Sequence, residues 1–291
     1  MPRVSIIVPV FNRAATVGRA IASVMAQTMR DWELIVVDDA SEDDLAGALA
    51  AFPDRRLRVL RHERNRGAAA ARNTGIGAAS DPLIAFLDSD DEWLPAKLER
   101  QIDAIERAGP SLGALCTAFR LRRVRTDHSE DRYPRATGTW AASLLDGCFV
   151  SPGSTLLARR QCFDTVGLFD ESLGRFEDWD WLLRLVEHYA FECLPEILAI
   201  IHVGARPRPT IIDKATRDLE ARQAARIRAM AGAKGLRRFR ASLALERANA
   251  ALDGGRYVAA SVVMAEATLL SPPRALDFFA RGLGRIRAGD V

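Results

Sequence analysis

Three acidic clusters carry the chemistry open to this sequence: Asp38-Asp39, Asp88-Ser-Asp-Asp-Glu92 and Glu177-Asp178. The middle cluster follows Leu83-Ile-Ala-Phe-Leu87, an apolar run with the length and composition of a fully buried strand. If that strand continues, side chains two apart share a face, so Asp88 and Asp90 are expected to point the same way. Crowded carboxylates raise one another's pKa unless a cation lies between them. A hard divalent ion, Mn²⁺ or Mg²⁺, suits that geometry because it takes one or two carboxylates and completes its shell with substrate phosphates. Capping a helix that starts near Pro95 would need one acid, whereas four stand within five positions. Asp90, helped by Asp88 or Asp91, is therefore the expected metal site.

The elements that must position these acids follow from hydrophobic periodicity. Val4–Val10 reads as a buried strand, and Val17, Ile21, Val24 and Thr28 follow a helical period through Met29. Glu33–Val37 forms the next strand and delivers Asp38 and Asp39 at its carboxyl end. A helix over Asp44–Phe52, a strand over Leu57–Arg61 and a glycine-started helix from Asn65 to Gly75 lead to the Leu83–Leu87 strand. This alternation predicts a parallel, doubly wound sheet, with both acidic clusters at the carboxyl edge where open α/β sheets bind ligands. A helix from Pro95 to Arg107 and a strand over Leu112–Leu121 come next. Residues 122–138 read as a charged surface loop, and Trp140–Leu198 as a mixed second half. Arg206-Pro-Arg-Pro209 reads as a linker, and the pattern beyond it is helical. The expected organisation is a catalytic domain over 1–208, with a nucleotide-binding half 1–95 and an acceptor half 96–208. A helical region follows over 209–291.

Composition narrows the class of partner. A formal net charge of +3 over 291 residues is too mild to indicate nucleic acid. Cys116, Cys148, Cys162 and Cys193 lack C-x-x-C spacing and read as reduced thiols of a cytoplasmic protein. No stretch approaches the roughly 20 apolar residues of a membrane span, and no leader pattern is expected at the N-terminus. Arg222, Arg226, Arg228, Lys234, Arg237, Arg238 and Arg240 suggest peripheral contact with the anionic inner face of a membrane. A helical cap or a homodimer contact is the alternative use of that region.

Taken in order, the motifs resemble the inverting glycosyltransferases of family 2. The matching pieces are Val4-Ser-Ile-Ile-Val-Pro-Val-Phe-Asn12, Val37-Asp-Asp-Ala-Ser41, Asn65-Arg-Gly67 with Ala71-Arg-Asn73, Phe86-Leu-Asp-Ser-Asp-Asp91, and Gly167-Leu-Phe-Asp-Glu171 with Phe176-Glu-Asp-Trp-Asp180. They span roughly residues 3 to 205. The resemblance implies a Rossmann-like nucleotide-diphospho-sugar transferase (GT-A) fold with a mixed central sheet. It implies a nucleotide-sugar donor, UDP-linked by expectation, and a glycan or lipid-linked acceptor in surface polysaccharide synthesis. By the same resemblance Asp178 is the general base, and Glu177 and Trp179 face the acceptor. Phe11 stacks on the nucleotide base, Asp39 holds the base or ribose, and Arg72 and Asp88 approach the diphosphate. His202 falls where some relatives place a phosphate- or metal-facing residue. The processive Gln-x-x-Arg-Trp segment is absent, with Asp180-Trp-Leu-Leu-Arg-Leu185 in its place, which implies a single transfer. Two rival classes share some of these features. A nucleotidyltransferase needs the metal acids but not Glu177-Asp178, and a silent nucleotide- or glycan-binding scaffold needs no intact acids.

Overall fold

The computed structural model describes residues 4–124, 126, 128–204 and 207–276. The chain divides into two compact units, Met1–Arg135 with Phe149–Gly204, and Ala136–Cys148 with Ala205–Val291.

The first unit opens with strictly alternating elements: β1 (Val4–Val10), α1 (Ala14–Met25), β2 (Trp32–Asp38), α2 (Leu45–Ala50), β3 (Leu57–Arg61), α3 (Ala68–Ala78) and β4 (Leu83–Phe86). β5 (Glu92–Trp93), α4 (Lys97–Ala108), β6 (Leu112–Arg123) and β7 (Ser129–Arg132) follow. The second unit takes α5 (Trp140–Leu144), and the chain then returns through α6 (Pro152–Thr155), β8 (Leu157–Arg159), α7 (Arg160–Val166), α8 (Glu177–Leu185) and β9 (Ala190–Val203).

Among the described residues one nine-stranded sheet runs in the order β3-β2-β1-β4-β8-β6-β9-β5, with β7 beside β6. The first four strands are parallel. β8 is antiparallel to both β4 and β6, β9 runs parallel to β6, and β5 closes the edge antiparallel to β9. Strand order reverses direction between β1 and β4, which creates the crevice where α/β sheets bind ligands. Val4, Ile6, Val8 and Val10 of β1 and Leu34 and Val36 of β2 pack with Val17, Ile21 and Val24 of α1 in the main core. α3 lies close over β1, because a side chain on Gly75 would collide with Ile7.

One local expectation is corrected. The apolar run ends as a strand at Phe86, and Asp88–Asp91 forms a turn closed by the Asp91 amide donating to the Asp88 carbonyl at 3.0 Å. Strand alternation therefore does not set the directions of Asp88 and Asp90. The turn does not cap α4 either, since the N-cap is Ala96 without a side-chain bond.

In the second unit α9 (Pro209–Asp253) kinks at Gly232, whose positive φ of 67° suits glycine. α10 (Tyr257–Leu270) packs against α9 through Ala244, Leu245, Ala248, Met264 and Ala267. Asp146 ties α5's neighbourhood to this unit by accepting from Arg238 at 2.5 Å and from Arg274. Arg240 pairs with Glu220 at 2.7 Å. Arg238 and Arg240, expected among the bases without acids nearby, are thus matched. The linker expected at Arg206 and the end of the helical region, 277–291, fall outside the described residues. Among the described residues no helix is long and apolar enough to cross a membrane.

Candidate active site

The acids converge because an aromatic cluster fixes α8 against β4. Phe86, two residues before Asp88, meets Phe169 edge-on at 5.4 Å and Phe163 at 6.0 Å. Phe163 stacks on Trp181 of α8 at 4.6 Å. Such pairs contribute about 0.5–1.5 kcal/mol each beyond area burial. Asn73 of α3 then clasps the same segment, donating to the Phe169 carbonyl at 2.8 Å and accepting from its amide at 3.0 Å. These contacts carry the carboxyl end of β4, the middle of α3 and the start of α8 to one place.

Arg72 occupies that place. Its Nη2 donates to Asp88 Oδ1 at 2.7 Å and its Nη1 to Glu177 Oε1 at 2.5 Å. Burial disfavours its charge, but Asp88, Glu177 and Asp178 together outweigh that and hold its pKa above the ordinary arginine value. The sequence places Arg72 where it could reach a diphosphate; in the structure its guanidinium bridges two carboxylates. Arg72 is 6% exposed and joins the acid turn to α8.

α8 starts abruptly. Phe176 sits in the left-handed region at φ 69°, an uncommon conformation for a bulky residue and one that concentrates at functional sites. Asp178 Oδ1 accepts from the Trp179 amide at 2.7 Å. Burial foremost, and the charge of Glu177 next, push the Asp178 carboxyl up to about 6, with Arg72 and the Trp179 amide opposing. A carboxylate so placed is ionised at neutral pH yet basic enough to receive a proton. Trp179, expected on the acceptor side, is 1% exposed and packs edge-on to Phe176 at 5.7 Å. Its ring faces core because α8 turns that side inward, so it offers no surface to an acceptor. Asp180 is held by Arg184 one helical turn on, at 2.8 Å.

At the acid turn, burial and the charge of Asp88 raise the Asp90 carboxyl, partly offset by Arg13 and Arg19. Arg13 lies 3.7 Å from Asp90, and Arg19 donates to the Asp90 carbonyl at 2.5 Å. Asp91 is buried, and accepts from Ser154 Oγ at 2.5 Å and from the His202 amide at 2.8 Å. Burial and then Asp88 push its carboxyl well up. Asp91 is thus a tie between the turn, α6 and β9. His202 Nε2 lies 2.7 Å from Glu92 Oε1. Among the described residues no three His, Cys, Asp or Glu side chains form a metal cage. Asp88 and Asp90 nonetheless fit a hard divalent ion: two crowded carboxylates, one held protonation-prone by the other, leave the remaining positions to phosphate and water.

The donor-side residues stand at the ends of β1 and β2. Phe11 is 44% exposed and presents a free ring beside a turn locked by Asn12, which accepts from the Glu42 amide and donates its own amide to Ser41 Oγ. Asp39 is buried, and its oxygens accept from the Arg66 amide at 2.9 Å and the Gly67 amide at 2.7 Å, with His62 Nδ1 at 2.6 Å. It fastens the loop that starts α3, and Gly67 takes a φ of 91° there. Arg66 continues the connection to Glu171 at 2.9 Å. The structure therefore brings Arg72, Asp88, Glu177 and Asp178 together, and links Asp39 to them through the Arg66–Gly67 loop and Glu171, and through His62 to Thr74 of α3 at 2.9 Å. Sequence reasoning missed Gly153, Ser154 and His62. Ser154 accepts from the Asp88 amide at 3.0 Å, and a methyl group on Gly153 would overlap the Asp88 carboxylate. A Pro-Gly-Ser-Thr turn some sixty residues downstream carries no local signal of that contact.

Comparison with known proteins places this arrangement. A family model described as Glycosyl transferase family 2 matches residues 5–167. Over 99 residues, 34% of this chain, the sequence is 48% identical to the Escherichia coli UDP-Glc:alpha-D-GlcNAc-diphosphoundecaprenol beta-1,3-glucosyltransferase WfgD, and the match spans 39% of that protein. The fold resembles S. aureus TarS 1-349 in complex with UDP-GlcNAc, with a TM-score of 0.64 at 19% identity over 99% of this chain and 92% of that one. It also resembles the mannosyltransferase PcManGT from Pyrobaculum calidifontis in complex with GDP-Man and Mn2+, with a TM-score of 0.61 at 21% identity over 97% and 80%.

Proposed function

The chain belongs to glycosyl transferase family 2, and we propose that it is an inverting, non-processive glycosyltransferase. It moves a sugar from a nucleotide-diphosphate donor, a UDP-sugar, to a hydroxyl of a glycan or lipid-linked acceptor in surface polysaccharide synthesis. One observation carries the reading: Asp178, its carboxyl raised to about 6, stands beside the Asp88–Arg72–Glu177 network at the switch-point crevice. The UDP-linked donor and lipid-linked acceptor find support in the name of the E. coli relative, a glucosyltransferase from UDP-Glc to a diphosphoundecaprenol-linked sugar.

A sugar hydroxyl does not ionise at neutral pH, so attack on the anomeric carbon needs a base that collects the proton as the bond forms. Asp178 takes that proton. Glu177, about 100° away around the helix, orients the acceptor rather than sharing the base role. The positive charge of Arg72 favours ionised Asp178 and keeps the acid turn and α8 in register. Phe11 offers its exposed ring to the nucleotide base, where stacking contributes about 1–3 kcal/mol. Asp39 acts on the donor by fastening the Arg66–Gly67 loop. Asp88 and Asp90 would hold Mn²⁺ or Mg²⁺, which when bound supplies positive charge to the departing diphosphate. In the second unit Arg228, Lys234 and Arg237 remain exposed and are the bases open to an anionic membrane surface.

The test is transfer from a panel of nucleotide sugars, with release of the nucleoside diphosphate as the readout. UDP release from one UDP-sugar that depends on added acceptor supports the reading. Release of pyrophosphate, or no turnover of any donor, contradicts it.

A further inference from the structure

Lys97, the first residue of α4, is wholly buried, and the mechanism above does not use it. The groups facing it are few. Its Nζ donates to Gln101 Oε1 at 2.6 Å and lies 4.0 Å from the centre of the Trp93 ring, with the Cys116 thiol also near. A buried ammonium without a carboxylate partner is costly, and burial pushes the Lys97 amine down to about 7. Packing alone would be served better by methionine or leucine at the same position.

What the lysine does is settle the orientation of its two partners. An ammonium only donates, so Gln101 must turn its oxygen towards Lys97 and its amide nitrogen away. That nitrogen then donates to the Thr155 carbonyl at 2.9 Å and the Leu115 carbonyl at 3.2 Å. Trp93, held under the ammonium by its ring face, donates Nε1–H to the Ser154 carbonyl at 2.7 Å. Two consecutive carbonyls of α6 are thereby fixed by two side chains that meet at Lys97. The same short helix seats Asp88 against Gly153 and receives the Asp88 amide and the Asp91 carboxylate on Ser154 Oγ.

We propose that Lys97 is a positioning residue for the Asp88–Asp91 turn, acting through Trp93 and Gln101 on the Gly153–Thr155 backbone. The inference rests on the reading of Asp88 and Asp90 as donor-side acids. With Lys97 replaced by an uncharged chain, Gln101 Oε1 is left buried without its donor and the Trp93 ring without its cation, so the two side chains that hold the Ser154 and Thr155 carbonyls lose their common anchor, α6 loosens and Asp88 loses its seat. Supporting groups one step removed from ligating residues typically change metal affinity about 10–100-fold when mutated.

The experiment compares wild type with Lys97→Met and, as a control for general core damage, Leu49→Ala. Amide hydrogen exchange over residues 151–156 reads the brace without any donor. Titration with Mn²⁺ and UDP, and a split of KM from kcat, read its consequence. Lys97→Met is expected to raise exchange over 151–156 selectively, and to weaken Mn²⁺-dependent UDP binding at least about 10-fold. Leu49→Ala should lose stability without either effect. Exchange over 151–156 that is unchanged, or that matches the control, overturns the brace. Raised exchange with unaltered Mn²⁺·UDP affinity and kcat overturns the positioning role. A wild-type protein that binds no UDP with Mn²⁺ contradicts the reading of the site itself, and is told apart because the exchange comparison does not depend on it.

Discussion

Arg72 and Glu177 lie 105 residues apart in sequence and share a 2.5 Å hydrogen bond. The other guanidinium nitrogen holds Asp88 at 2.7 Å, and the buried Nε has no partner among the described residues. One cation therefore spans the gap between the acid turn after β4 and the helix that carries Asp178. A planar fork can reach both carboxylates at once, which a point charge cannot.

Replacing Arg72 should separate stability from catalysis. Arg72→Met leaves the partly buried Glu177 without its counter-charge, and breaking a buried pair costs about 3–5 kcal/mol. The lower end is expected because the Asp88 side chain is 37% exposed and can rehydrate. Arg72→Lys keeps the charge but engages one acid at a time, so it should stay folded and lose up to about 10²-fold in kcat through misplacement of α8. Denaturant unfolding alongside steady-state kinetics checks both. Native turnover in Arg72→Lys would remove the bridging role.

The pH dependence follows from Asp178. Its folded pKa of about 6 lies above the ordinary aspartate value of 3.8, so between those values the folded protein binds more protons than the unfolded chain. The contribution of Asp178 to stability is therefore best below about 4 and declines as pH rises to about 6, after which it is flat. Asp178→Asn should raise Tm relative to wild type at pH 7.5 and make little difference at pH 4. In wild type, kcat should fall tenfold per pH unit below about 6. Equal Tm values for the two proteins at pH 7.5 would mean that Asp178 is not held against its charge.

The acid turn predicts a graded metal response. Asp90→Asn should abolish Mn²⁺-dependent UDP binding with the fold intact, because its contacts with Arg13 are solvent-exposed. Asp88→Asn should weaken the same binding and also lower stability, since it loosens Arg72. Calorimetric titration of UDP with and without Mn²⁺ distinguishes them. Unchanged Mn²⁺ dependence in Asp90→Asn would place the ion elsewhere.

β1, β2 and β4 were legible to within a residue or two because each is a continuous apolar run buried on both faces, Ile6 to Val8 and Leu34 to Val37 among them, whereas β3, Leu57–Arg61, is a half-exposed edge strand. The acids at their ends were legible for the same reason. What local pattern could not supply was the tertiary use of polar groups. Arg72 is expected at the diphosphate and Asp39 at the base or ribose, and nothing local signals that Arg72 bridges Asp88 and Glu177 or that the Arg66–Gly67 amides close on Asp39. The burial of Trp179 is not evident from the sequence because the two tryptophans of α8 are two residues apart, on different sides of a helix, yet both face inward, Trp181 onto Phe163 and Trp179 onto Phe176. Ala136–Cys148, read with the acceptor half, lies in the second unit, where Asp146 meets Arg238 and Arg274.

Asp178 is the group on which the proposed transfer depends. The deciding measurement is kcat for Asp178→Asn and Glu177→Gln with the donor that wild type uses, alongside donor affinity measured separately. Asparagine keeps the shape and still accepts the Trp179 amide, but it cannot take a proton. Asp178→Asn is therefore predicted to lose at least about 10²-fold in kcat with nearly normal donor affinity. Glu177→Gln is predicted to act mainly through acceptor KM. Near-native turnover in Asp178→Asn would contradict the assignment of the base, and with it the proposed mechanism.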